Sequence, residues 1–325
     1  MKPLSIAAYF DGRLGHEKQT LGILQALAAI TPTEVIEKNV PVSPVSFCRN
    51  WMSYILASLH EPVTGQYPGV VDLIIGSGTH THIPMLLEKK SRSGSTGHKV
   101  YVVTCMSPDP QLFKKFDLCC IPEHDEPPPR KNVFITLGPP NTVVLRDEHQ
   151  SDKGLILIGG LDKKSHIWKS SEVINQVTTI VTNNKNLHWA ISSSPRTPEE
   201  TCVKLEELAA SMQQATFYRS ADTSAGWIEK EYARNRTVWV TADSISMVYE
   251  ALSAGCSVGI LPVTWLRQNN KFQKSLDILK EKNMVIYFDD WQSTAAMPAP
   301  QGKPFNEAER CAREILRRWW PDRLQ

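Results

Sequence analysis

The chain has 325 residues, 41% apolar and 22% charged, with a formal net charge of +2. That length calls for two hydrophobic cores rather than one, and the near balance of charge excludes a dedicated nucleic-acid binder. Seven cysteines without a C-x-x-C pair or a zinc-type spacing fit reduced thiols in a cytosolic compartment.

The chain opens on a short apolar run, Leu4–Phe10, which predicts a buried strand. It is too short for a signal-peptide core, and no run reaches the roughly 18 residues a membrane span needs. The expectation is a cytoplasmic protein, at most peripheral to the inner membrane. Asp11-Gly12-Arg13-Leu14-Gly15-His16-Glu17 follows, then a helical segment from Gln19 to Ala29. A strand, a glycine-containing loop and a helix bring backbone N–H groups and a helix N-terminus to one point, a place suited to an anion. The loop also carries an acid, a base and a guanidinium, although an Asx turn with a helix cap accounts for the same residues.

Trp51 to Leu59 reads as a core helix whose aromatic content also suits a lipid-facing patch. Val70–Ile75 is a strand ending at Gly76-Ser77-Gly78, with a helix from His82 to Lys90 behind it. Lys99–Thr104 and Phe116–Ile121 are further strands. Cys119 and Cys120, adjacent in the latter, point to opposite faces. Four prolines between Pro122 and Arg130 interrupt the pattern. A strand-like Asn132–Leu137, a Gly138-Pro139-Pro140-Asn141 turn and a polar segment, Leu145 to Lys153, come next. That segment reads as a linker, and the boundary falls near Ser151, giving domains 1–150 and 151–325.

The second half restarts the alternation. Leu155–Ile158 ends in Gly159-Gly160, and a helix spans Ser171–Thr182. Leu187–Ser192 is a strand, and Pro198–Met212 a helix on which Thr197 and Glu200 form a capping box. Thr237–Val240 is a strand, Ser244–Ala254 a helix closed by Gly255, and Ser257–Leu261 a strand. Gln268–Lys282 is a helix, Met284–Phe288 the last strand and Asn306–Trp320 a final helix that fits either domain. Short apolar runs alternating with helices predict an α/β protein with two doubly wound parallel sheets in tandem.

In such sheets ligands sit outside the carboxyl ends of the strands. The second-half strand ends carry Gly159, Gly160, Ser193, Ser194, Arg196, Asp243 and Ser244. Glycines allow close backbone approach, hydroxyls and N–H groups bind phosphate oxygens, and an arginine clamps them. Glu250, two turns along the helix that Asp243-Ser244 opens, can accept hydrogen bonds from a ribose. A solvated loop for 192–197 and a surface carboxylate for Glu250 are the plain alternatives. His80 and His82 alternate with threonines but lack a clear third ligand, so no metal is expected. Glu123-His124-Asp125 is a cleft wall or an ordinary charged turn.

The sequence resembles the plant "elongated mitochondria" fission proteins and their bacterial relatives, also labelled glycosyltransferases. The matching residues are Asp11-Gly12-Arg13 with Gly15-His16-Glu17 and Gln19, Asp72–Gly78, Phe116-Asp117-Leu118 with Pro122–Asp125, Gly138 with Pro140-Asn141, Leu157–Gly160, Ser192–Ser194 with Arg196-Thr197, and Asp243–Met247 with Glu250-Ala251. Leu14 stands where the family often has Pro. The resemblance implies a GT-B-like fold, two Rossmann-like domains facing across a cleft. A looser likeness to the lipid-intermediate glycosyltransferase of peptidoglycan synthesis rests on Gly15-His16 and Glu250.

The resemblance implies a metal-independent glycosyltransferase with a nucleotide-sugar as substrate and no cofactor. The second-half residues named above would hold the donor, and Gly12, Arg13, Gly15, Ser77, Thr79 and Glu123 would form the acceptor side. Asp11 or His16 would be the general base, Asp11 favoured because it directly ends the strand. A glycolipid or lipopolysaccharide-core acceptor is the expected partner, no nucleic acid is, and Arg310–Arg323 with Trp319-Trp320 would help membrane contact. A non-catalytic fission-type adaptor and a sugar-nucleotide epimerase are the alternatives.

Overall fold

The computed structural model describes residues 1–59, 67, 69–93, 98–146, 148–299 and 305–324. The chain divides into two units, Met1–Thr142 with the segment from Asn306 onward, and Val143–Phe305. Both are Rossmann-like doubly wound α/β units, the expected GT-B-like fold class.

In the first unit the elements run β1 (Leu4–Phe10), α1 (Leu14–Ile30), β2 (Thr33–Asn39), α2 (Pro44–Leu59), β3 (Leu73–Gly76), α3 (Thr79–Ser93), β4 (Tyr101–Thr104), β5 (Leu118–Pro122) and β6 (Val133–Thr136). All six strands are parallel, in the order β2-β1-β3-β4-β5-β6. Strand direction of build-up reverses at β1, so the crevice between β1 and β3 is the topological switch point. Alternate residues of each strand feed two cores. Ile6, Ala8, Leu73, Ile75 and Cys120 pack with α1 on one face, and Ala7, Tyr9, Ile74, Val102 and Cys119 pack with α3 on the other. Cys119 and Cys120 therefore do face opposite sides. On the α3 side the buried Glu88 carboxylate is held by Arg92 and Lys38 (2.8 and 2.6 Å) and by the Tyr9 hydroxyl, so this buried charge is fully paired.

The second unit runs β7 (Gln150–Leu157), β8 (His166–Ile167), α4 (Ser170–Asn183), β9 (His188–Ser192), α5 (Glu199–Ser211), β10 (Ala215–Tyr218), α6 (Trp227–Arg234), β11 (Asn235–Thr241), α7 (Ile245–Ser253), β12 (Ser257–Leu261), β13 (Thr264–Trp265), α8 (Lys271–Glu281), β14 (Val285–Tyr287) and α9 (Phe288–Thr294). Its parallel sheet has the order β10-β9-β7-β11-β12-β14, while β8 and β13 form a small antiparallel pair. The switch point lies between β7 and β11. Trp189, Trp239, Phe288 and Trp291 fill the core on one face of this sheet with Val173, Val177 and Leu205.

The chain then returns to the first unit as α10 (Glu307–Trp319). This differs from a division at Ser151 that leaves the last helix with the second domain. Cys311, Ala312, Ile315 and Leu316 are fully buried against α1 and the sheet. Ile315 and Leu316 alone bury enough apolar surface to contribute about 1.5–3 kcal/mol each, and Asn306 caps the helix by accepting from the Glu309 N–H at 2.9 Å. Polar 145–153 is not wholly a linker either, since β7 begins at Gln150. The Thr197–Glu200 capping box does not form. Helix α5 starts at Glu199 without a side-chain cap, because the Thr197 hydroxyl is drawn instead to the Gly159 carbonyl.

Candidate functional site

The first unit's switch point gathers the loops after β1 and β3. Helix α1 begins at Leu14 rather than Gln19, so Gly15, His16 and Glu17 form its first turn and only Asp11-Gly12-Arg13 is loop. Gly12 turns the chain with φ +75°, and the Glu17 carboxylate accepts its N–H at 3.2 Å. Asp11 is buried. One of its oxygens accepts the Arg13 N–H (3.2 Å), the Asx turn foreseen as the plain alternative, and the other meets His16 Nδ1 at 2.8 Å. A carboxylate only accepts, so Nδ1 carries the proton in this pair and the Nε2 lone pair stays available. His16 is partly open to solvent, whereas the Asp11 side chain is fully enclosed.

Gly78 closes this arrangement from β3. Its φ is +106°, and a Cβ there would stand 2.6 Å from His16 Nδ1 and closer still to the Asp11 carboxylate. Only glycine lets the two loops meet here. Ser77, buried, donates to Gln19 Oε1 at 2.9 Å on α1. Thr79 opens α3, and Gly12, Arg13 and Gly15 are exposed around the α1 N-terminus. Glu123 lies in a 3-10 turn after β5, exposed.

His82, weighed in the sequence only as a metal ligand, packs beneath the pair. It is fully buried, and its Nε2 bonds the Thr104 hydroxyl at 3.0 Å. Its Nδ1 has no partner among the described residues. Burial lowers its pKa to about 4, helped by the nearby His16 and opposed by Asp11. Among the described residues, no three His, Cys, Asp or Glu side chains converge to hold a metal ion.

In the second unit Gly159-Gly160 after β7 meets Asp243-Ser244 after β11. The Gly159 N–H donates to Thr241 Oγ1 (2.7 Å) and the Gly160 N–H to Asp243 Oδ2 (3.1 Å). Arg196 Nη2 donates to the same Asp243 oxygen at 2.9 Å and lies 3.5 Å from Ser244 Oγ. That is the only part of the guanidinium engaged by a protein group among the described residues. Asp243 Oδ1 is buried and unpartnered among them. A Cβ on Gly159 would collide with the Asp243 carboxylate and with Ser244 Oγ, at 2.5 Å.

Both serine hydroxyls already have partners within the unit. Ser194 Oγ donates to the Gly159 carbonyl at 2.9 Å, and Ser193 Oγ accepts the Ser220 N–H at 2.9 Å. What remains open toward a ligand is the rest of Arg196 and the α7 N-terminus. Glu250, on α7, is buried rather than on the surface, and the Tyr232 hydroxyl of α6 lies 3.4 Å from its Oε2. Burial first, and then the Glu250 charge, push the Tyr232 phenol well above its usual range. Sequence reading missed Tyr232, because α6 is only eight residues long and nothing in the sequence sets it beside Glu250 of α7. It missed the role of Gly78 because that depends on β1 and β3 being neighbours.

Among the described residues no helix is long and apolar enough to cross a membrane. Trp319 stacks on Tyr101 with ring centroids 4.1 Å apart, and Trp320 meets the same ring edge-on at 5.5 Å. Both pack against the first unit's core, not outward as membrane contact requires.

No curated protein matches the sequence. Among solved structures, the chain is similar to a Listeria monocytogenes protein assigned as a UDP-N-acetylglucosamine 2-epimerase (TM-score 0.57, 13% identity, 97% of this chain and 95% of that one). It is also similar to UDP-GlcNAc 2-epimerase from Neisseria meningitidis bound to UDP-GlcNAc (0.51, 13%, 97% and 100%). A third likeness is to S. aureus MnaA with UDP (0.50, 12%, 99% and 98%). At such identities the likeness establishes a shared fold and no activity. The mitochondrial fission ELM1 family matches residues 14–319, nearly the whole chain, and the protein belongs to that family.

Proposed function

We propose that the protein is a metal-independent glycosyltransferase, moving a sugar from a nucleotide-activated donor to a hydroxyl acceptor. The observation that carries this reading is the Asp11–His16 pair, in which Nδ1 of a partly exposed imidazole meets the carboxylate and the second nitrogen is left to take a proton. His16, not Asp11, is then the general base, because both Asp11 oxygens are already engaged. Asp11 fixes the tautomer and stabilises the imidazolium that forms, and a base so placed contributes about 10²–10⁴-fold.

The second unit holds the donor. The free part of the Arg196 guanidinium and the α7 N-terminus suit the diphosphate, and Asp243 fixes Arg196 through Nη2. The buried, unpartnered Asp243 Oδ1 is an acceptor that a ligand hydroxyl would satisfy. Glu250 serves the ribose. In the reaction the acceptor hydroxyl gives its proton to His16 Nε2 and its oxygen bonds the anomeric carbon. The bond from that carbon to the phosphate oxygen breaks, and the charge gathered on the leaving diphosphate is met by Arg196 and backbone N–H groups. A glycolipid is the acceptor class.

The test is nucleotide release from UDP-, GDP-, ADP- and CMP-sugars, with and without a membrane glycolipid fraction. Turnover that rises with the fraction, and falls at least about 100-fold in His16→Ala, supports the reading. Interconversion of the sugar with donor alone would make the protein an epimerase. No turnover at all would leave an adaptor, and full activity in both His16→Ala and Asp11→Asn would reject the base.

A further inference from the structure

Helix α2 turns an apolar stripe to solvent. Val45, Cys48, Met52 and Ile55 are spaced by three, four and three residues, so at 100° per residue they fall within an arc of about 80°. Val45 is 78% exposed, Met52 60% and Ile55 55%, and Cys48 is the one exposed cysteine of the seven. The opposite side of the helix is accounted for by the fold. Trp51 and Tyr54 pack on the core beneath α3, and Phe47 meets Trp51 and His80 edge-on. Val40 to Leu59 contains one charged residue, the exposed Arg49, in a chain that is 22% charged.

We propose that α2 docks the protein on a lipid surface containing anionic headgroups. Three features choose this occupant. The stripe is about 15 Å long and presents on the order of 300 Å² of apolar surface. That is well short of the roughly 800 Å² per partner of a stable interface, so a second copy of the chain does not fit it. A shallow apolar face is, however, all that an interfacial helix needs to enter the headgroup boundary. The single charge is a cation and there are no carboxylates, which suits anionic headgroups and spares the desolvation of acids. Trp51, half-buried and one step round the helix from Ile55, is of a residue type that settles at such a boundary.

The C-terminal helix has no comparable face. Its arginines are paired with Glu307, Glu309 and Glu314, and its tryptophans pack on Tyr101. On its core side α2 also reaches the loop of the first unit's site, since Phe47 contacts the His80 ring at 5.5 Å and His80 lies two residues past Gly78. Docking through α2 does not rest on the reaction proposed above.

The experiment is co-sedimentation of the full chain with vesicles of phosphatidylethanolamine, with and without phosphatidylglycerol. The wild type is expected to pellet with the mixed vesicles, less with the neutral ones. The double variant Met52→Glu, Ile55→Glu should lose at least about tenfold in partitioning. Val203→Glu, at an exposed apolar position in the second unit, should bind like the wild type. Circular dichroism and thermal unfolding confirm that the variants fold. A wild type that does not pellet, or a double variant that pellets equally, overturns the proposal. So does concentration-dependent self-association, abolished by the double variant, in a wild type that ignores vesicles. Nucleotide release is measured separately, so loss of the reaction leaves this result standing.

Discussion

His82 should make the first unit acid-labile in a defined window. Burial brings its imidazole from the ordinary 6.5 down to about 4. As pH falls below 6.5 the unfolded chain binds this proton and the native state does not, so stability is lost progressively until pH reaches about 4, where the native imidazole protonates too. At about 1.36 kcal/mol per pH unit, the 2.5-unit difference amounts to roughly 3 kcal/mol over the whole window, of which about 2 falls between pH 7 and 4.5. Carboxylates titrating over the same range are removed by subtraction. Wild type and His82→Gln are compared by urea denaturation at about pH 7 and about pH 4.5, followed through a fluorophore on Cys48, whose six fellow cysteines are buried. The variant loses the Thr104 bond and starts less stable, but its further loss on acidification should be smaller than that of the wild type by about 2 kcal/mol. Equal losses would refute the idea that His82 is held neutral beneath the Asp11–His16 pair.

Gly78→Ala places a methyl group on that pair at a left-handed backbone position. A loss of about 2 kcal/mol or more is expected, together with loss of the protected His16 Nδ1–H resonance in imidazole NMR; a preserved resonance would contradict the geometry. Gly159→Ala forces apart the Asp243 carboxylate and Ser244, and should abolish stabilisation by any nucleotide-sugar while the circular dichroism stays native. Thr197→Val removes the hydroxyl that bonds the Gly159 carbonyl and accepts the Ser194 N–H. It should cost about 1–3 kcal/mol in urea denaturation, with Thr197→Ser restoring most of it.

The buried parallel strands were legible because a strand covered on both faces is a run of apolar residues, as in Leu4–Phe10 and Leu155–Ile158. Strand β2 was not, because Thr33–Asn39 is an edge strand exposed along most of its length and carries three charges. The last helix shows its apolar stripe clearly, yet Cys311, Ala312, Ile315 and Leu316 would suit any sheet face. Its place on α1 is set by packing between residues some 300 positions apart. At the site, residue types were readable at the strand ends and partnerships were not. Asp11 directly ends β1, which made it look like the base, and its pairing with His16 and the Arg13 N–H could not be read from that position. Ser193 and Ser194 looked like phosphate ligands because hydroxyls at a strand end serve either a ligand or the protein itself, and only the positions of the Ser220 N–H and the Gly159 carbonyl show these partners.

The central claim is that the second unit binds a nucleotide-sugar through Arg196 and Glu250. Thermal unfolding with UDP-, GDP-, ADP- and CMP-sugars tests it most directly, since a ligand at about 100 times its Kd stabilises by roughly 2.7 kcal/mol. The account predicts a raised Tm with one nucleotide class, lost in Arg196→Ala and Glu250→Ala variants that remain folded. An unchanged Tm with all four, or a shift that both variants keep in full, would contradict it.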